Sequence, residues 1–99
     1  MHTQGDVQQS IRRVEEEIER VEVKIEGIEE VIKAVEKAIE AAKAEGNEKE
    51  IEHLQDKEKQ LRDKEKQLRE EKRQLRDKEK QLREEKLKLM DLAPSREGV

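Results

Sequence analysis

The sequence contains no cysteine, no phenylalanine, tyrosine or tryptophan, a single proline and four glycines. Without cysteine there is no disulfide framework and no thiol chemistry, and cysteine usage carries no signal of compartment. Without aromatic side chains the main bulk fillers of a thick hydrophobic core are missing. No stretch approaches the ~20 consecutive apolar residues that cross a membrane as a helix. The opening segment MHTQGDVQQS lacks the basic-then-apolar layout of a secretory signal.

Charge, by contrast, is everywhere. Charged residues make up 51% of the chain and the hydrophobic set only 30%, yet the formal net charge is −4. The surface is therefore of mixed sign, neither acidic nor basic. Such a composition suits either a disordered chain or a helix with a thin apolar seam. Periodicity decides between the two.

From Val7 to Ala42 the apolar residues Val7, Ile11, Val14, Ile18, Val21, Ile25, Ile28, Ile32, Val35, Ile39 and Ala42 alternate spacings of four and three. This heptad pattern predicts a coiled-coil helix. In heptad letters, Ile11, Ile18, Ile25, Ile32 and Ile39 are a positions. A second arm carries DKEKQLR, twice in tandem and once more after a variant repeat, EEKRQLR. Its leucines mark time: Leu54, Leu61, Leu68, Leu75, Leu82 and Leu89. With these at d, the a positions hold Glu58, Glu65, Lys72, Glu79 and Lys86, so only half of this seam is apolar. Lys72 breaks the acidic pattern of its row.

Between the arms, Gly46 suits a left-handed residue closing one helix, and Asn47 with Glu50 suits a capping box opening the next. A continuous helix would carry the first arm's phase to Gly46 and His53, whereas the apolar residues fall at Ile51 and Leu54. The sequence thus predicts an all-α fold, an antiparallel coiled-coil hairpin turning at Gly46–Asn47. Folding there pairs residues whose numbers total about 93, which sets Ile39 against Leu54, Ile32 against Leu61, Ile25 against Leu68, Ile18 against Leu75 and Ile11 against Leu82. The predicted organisation is a disordered start at 1–5, helix at 6–45, turn at 46–47, helix at 48–92 and a flexible tail at 93–99. Pro94 cannot continue a helix.

Two helices bury little apolar area against the entropy of ordering them. The first arm carries a second line beside its seam, Gly27, Val31, Ala34, Ala38 and Ala41, on c and g positions. That line is a candidate oligomer interface, and with it the hairpin is expected to pair into a four-helix bundle as a homodimer. Alanine as a plain helix former is the blander explanation. Residues 6–45 carry 7 basic and 12 acidic groups and residues 47–92 carry 15 and 14. This mild complementarity favours pairing between arms.

The sequence carries no catalytic, metal-binding or phosphate-binding signature. Acid–base catalysis needs a carboxylate desolvated in a concave site, and the Glu-rich runs read as solvated faces. His2 and His53 have no second ligand at metal-binding spacing. Arg62, Arg69, Arg76 and Arg83 form a basic stripe, but interleaved acids cancel it and no aromatic is present to stack on bases. The expectation is a non-enzymatic chain with no cofactor, small-molecule substrate, nucleic acid or membrane partner. It serves oligomerisation or binding of another protein. An extended parallel dimer acting as a spacer is the alternative architecture, and a hairpin docking a different protein the alternative use.

The arm EHLQDKEKQLRDKEKQLREEKRQLRDKEKQLREEKLKLM resembles charged, leucine-spaced segments of Crinkler-type effectors of oomycetes and fungi, over about half the chain. In that family such segments lie beside targeting and toxin-like domains, and no family targeting motif occurs here. The resemblance implies an interaction or oligomerisation module of a secreted effector. It transfers no catalytic residue.

Overall fold

The computed structural model describes residues 3–91. They form two α-helices, α1 (Gln4–Glu45) and α2 (Glu48–Asp91), joined by a two-residue turn into a helical hairpin. There is no strand among the described residues.

α1 begins at Gln4, two residues before the expected start at Asp6. Thr3 Oγ1 accepts from the Asp6 amide at 3.1 Å, and the Thr3 amide donates to Asp6 Oδ2 at 3.3 Å. This reciprocal box satisfies amides that the helix start would otherwise orphan. The Val7 amide then donates to the Thr3 carbonyl, closing the first turn. Residues 4 and 5, expected to be disordered, are therefore helical. The rest of the expected disordered start, residues 1 and 2, lies outside the described residues. So do Leu92 and the expected flexible tail at 93–99.

The turn follows the sequence closely. Gly46 adopts φ +70°, a conformation that costs any other L-residue except Asn or Asp roughly 1–2 kcal/mol. Its amide donates to the Lys43 carbonyl and the Asn47 amide to the Ala42 carbonyl, the bond pair of a Schellman closure. Asn47 also opens α2. Its Oδ1 accepts from the Glu50 amide at 3.2 Å, and its carbonyl accepts from the Ile51 amide. One residue thus ends one helix and caps the next.

The chain divides into two compact units. One is Val21–Glu71 and contains the turn. There α1 contributes the buried residues Val21, Ile25, Ile32, Val35, Ile39 and Ala42, with Ile28 half-buried. α2 contributes Ile51, Leu54, Glu58, Leu61, Glu65 and Leu68, all half-buried. The other unit joins the described residues of Met1–Arg20 and Lys72–Val99. In it Val7, Ile11, Val14 and Ile18 are buried, and Leu75, Glu79, Leu82, Lys86 and Leu89 are half-buried.

The two helices differ in how they meet water. α1 is apolar at both seam positions, and its seam residues fall as low as 1% exposure at Val7 and Ile11. No described residue of α2 is fully buried. Its leucines alternate with Glu and Lys side chains that cover apolar surface with methylenes while the charged head stays wet.

Candidate interaction surface

The heptad phase places e positions on one flank of the seam and g positions on the other. On the e flank α2 presents arginine and α1 presents glutamate. In the turn-containing unit, Arg62 Nη2 lies 3.0 Å from Glu36 Oε1 and 3.3 Å from Glu58 Oε2. Arg69 Nη2 lies 2.7 Å from Glu29 Oε1 and 3.1 Å from Glu65 Oε2. In the other unit, Arg83 Nη2 lies 3.2 Å from both Glu15 Oε2 and Glu79 Oε2. Arg76 Nη1 is 3.8 Å from Glu79, and Lys86 donates to Gln8 Oε1.

Each of Arg62, Arg69 and Arg83 therefore draws in two carboxylates. One is four residues back on α2, at a seam position. The other is on α1. The seam carboxylates are the more withdrawn, with side chains 23%, 17% and 15% exposed at Glu58, Glu65 and Glu79. The arginine explains how an acidic residue is tolerated in the seam: it stays hydrogen-bonded as it is desolvated. No buried side-chain nitrogen or oxygen is left without a partner among the described residues.

The g flank of the turn-containing unit is built differently. Gly27, Ala34 and Ala41 are exposed, Val31 is 44% exposed, and Ala38 is half-buried. A Cβ added at Gly27 would meet nothing within 4 Å. A glycine inside a helix costs about 1 kcal/mol relative to alanine, and no close approach within this chain requires one there. Val23, on α1's outer face, is 61% exposed, and Leu87 and Met90 expose apolar surface near the end of α2.

Of the residues singled out in the sequence, the five isoleucines are buried and Leu54, Leu61, Leu68, Leu75 and Leu82 are half-buried. Gly46 and Asn47 make the turn. The α1 half of the arginine ladder, Glu15, Glu29 and Glu36, went unnoticed. The signal was present, because these residues recur at heptad spacing on e. It surfaces only when the e rows of both arms are read against each other.

A depression of about 710 Å³ beside the Arg62–Glu36 pair is wide open to solvent and rimmed by Glu36, Lys43, Glu58 and Arg62. Among the described residues no group of three or more His, Asp or Glu side chains is placed to hold a metal ion. No helix among the described residues is long and apolar enough to cross a membrane. No protein family, curated protein or solved structure matches the chain.

Proposed function

We propose that this chain is a non-catalytic coiled-coil module. In it α1 and α2 pair as an antiparallel coiled coil, and two hairpins associate through α1 into a four-helix bundle. Its work is oligomerisation or protein interaction and calls for no cofactor or small-molecule substrate. Antiparallel pairing is supported by the ladder. Successive arginine partners advance along α2 from Arg62 to Arg69 to Arg83 and retreat along α1 from Glu36 to Glu29 to Glu15.

The observation that carries self-association is the one-sided closure of the turn-containing unit. Its e flank is bridged by Arg62–Glu36 and Arg69–Glu29, while its g flank leaves Val31 exposed beside Gly27, Ala34 and Ala41. Small residues let another helix approach closely, and a thin two-helix seam gains from further burial. The likeness to Crinkler-type segments adds a setting, a secreted effector in which such a module would hold copies or partners together.

The test is Val31→Lys combined with Ala38→Lys. The pair should reduce a two-chain mass to a one-chain mass while helicity is retained. Glu19→Lys with Glu26→Lys, on the outer b positions, should leave the mass alone. A two-chain mass that survives Val31→Lys with Ala38→Lys overturns this interface. A one-chain mass for the unaltered chain removes self-association and leaves a different protein as the partner.

A further inference from the structure

The repetition of α2 raises a question of register. If α2 slid by one heptad toward the turn, Ile39 would face Leu61, Ile32 Leu68, Ile25 Leu75, Ile18 Leu82 and Ile11 Leu89. All five isoleucine–leucine layers survive this slip, because Leu89 replaces Leu54. The isoleucine–leucine layers therefore do not distinguish the two alignments, although the slip takes Ile51 away from Ala42. On the e flank the slip still sets Glu36 against Arg69. The ladder discriminates in part, because the slip takes Glu15 away from Arg83 and sets Lys43 against Arg62.

The g flank discriminates further. Along α2 its residues are Lys57, Lys64, Glu71, Lys78 and Glu85, and along α1 they are Glu17, Lys24, Val31 and Ala38. The variant repeat EEKRQLR is what puts Glu71 where its neighbours carry lysine. In the unslipped alignment heptad position sets Lys24 across from Glu71, both in the turn-containing unit, and Glu17 across from Lys78, both in the other. After the slip Lys24 would meet Lys78 and Glu17 would meet Glu85. Two attractive pairings become two repulsive ones.

We infer that Glu17 and Lys24 on α1, with Glu71 and Lys78 on α2, are a charge key that specifies which heptad pairs with which. This rests on the antiparallel pairing proposed above. The key gives the irregular third repeat a purpose. A uniform α2 would separate the two alignments less well. Charges flanking a seam commonly set register and partner while adding little affinity. All four side chains are exposed, so each pairing is screened and individually weak. The effect is a difference between registers and is read as a ratio.

The absence of native cysteine makes disulfide trapping clean. A ~10-residue Gly/Ser insertion between Gly46 and Asn47 reaches far enough to free the register while keeping the arms on one chain. In that background, Ala38→Cys with Lys57→Cys reports the unslipped register, and Ala38→Cys with Lys64→Cys reports the slipped one. Both are followed as intrachain disulfides at low protein concentration. With the key intact, the first pair should cross-link and the second should not. Exchanging the α1 charges, Glu17→Lys with Lys24→Glu, keeps the net charge but makes the slipped register the attractive one. The ratio of the two disulfides should then move about tenfold toward the Lys64 site. A ratio unmoved by the exchange overturns the key and leaves antiparallel pairing intact. Failure of both disulfides with the key intact overturns antiparallel pairing itself.

Discussion

Arg69 Nη2 reaches Glu29 Oε1 at 2.7 Å across forty positions of sequence, and the same nitrogen lies 3.1 Å from Glu65 one helical turn back. The shared contact ties an acidic seam residue to the opposite helix through a single cation. Exposed ion pairs contribute little in general, about 0–1 kcal/mol, and the Arg69 side chain is 55% exposed. Its value lies in what it permits: a glutamate in the seam whose carboxylate keeps a hydrogen-bond partner.

The ladder yields a graded prediction. Arg69→Ala should cost more than Glu29→Ala, because removing the arginine also strips Glu65 of its partner while removing Glu29 leaves the Arg69–Glu65 contact in place. A double-mutant cycle on Arg69 and Glu29 should return a coupling of about 0.5 kcal/mol at low salt. Urea denaturation repeated in 1 M NaCl, where the screening length falls to about 3 Å, should bring that coupling near zero. A coupling that salt does not diminish would point to packing in place of charge.

Two glycines should respond oppositely to alanine. Gly46→Ala puts a Cβ on a residue at φ +70° and should destabilise the hairpin by roughly 1 kcal/mol. Gly27→Ala meets open space in regular helix and should stabilise it by roughly as much. Thermal unfolding monitored by circular dichroism separates the two by the sign of the change in Tm. A loss of stability at Gly27 would mean that its missing Cβ is needed by a contact between copies, and a concentration series would show it.

Seam and surface should separate as cleanly. Ile18 is 4% exposed and Val23 is 61% exposed. Ile18→Ala should cost about 2 kcal/mol, the low end for buried isoleucine, because a thin seam collapses more readily than a thick core. Val23→Ala should change stability by less than about 0.5 kcal/mol. Comparable losses at the two sites would contradict the burial pattern.

The hairpin was legible because three independent signals agreed. Apolar spacing gave helices, the phase break between Ile39 and Ile51 gave a turn, and Gly46–Asn47 supplied its chemistry. The early start of α1 was missed because its marker, Thr3 with Asp6, departs from the usual Glu or Gln at the third position and precedes the apolar pattern. The cross-helix ladder was half seen. Pairs such as Glu58–Arg62 follow from spacing on one helix, but Glu36 enters only once the second helix is brought alongside. The half-burial of α2's leucines was hidden for a related reason. A leucine's share of water depends on the charged neighbours that flank it, and a heptad letter does not record that.

The central claim is that hairpins of this chain associate with one another through α1. Sedimentation velocity across a wide range of protein concentration tests it most directly, because mass is read without labels or partners. The proposal predicts a two-chain mass at high concentration that dissociates to a single helical chain on dilution. A single-chain mass at every concentration would contradict it.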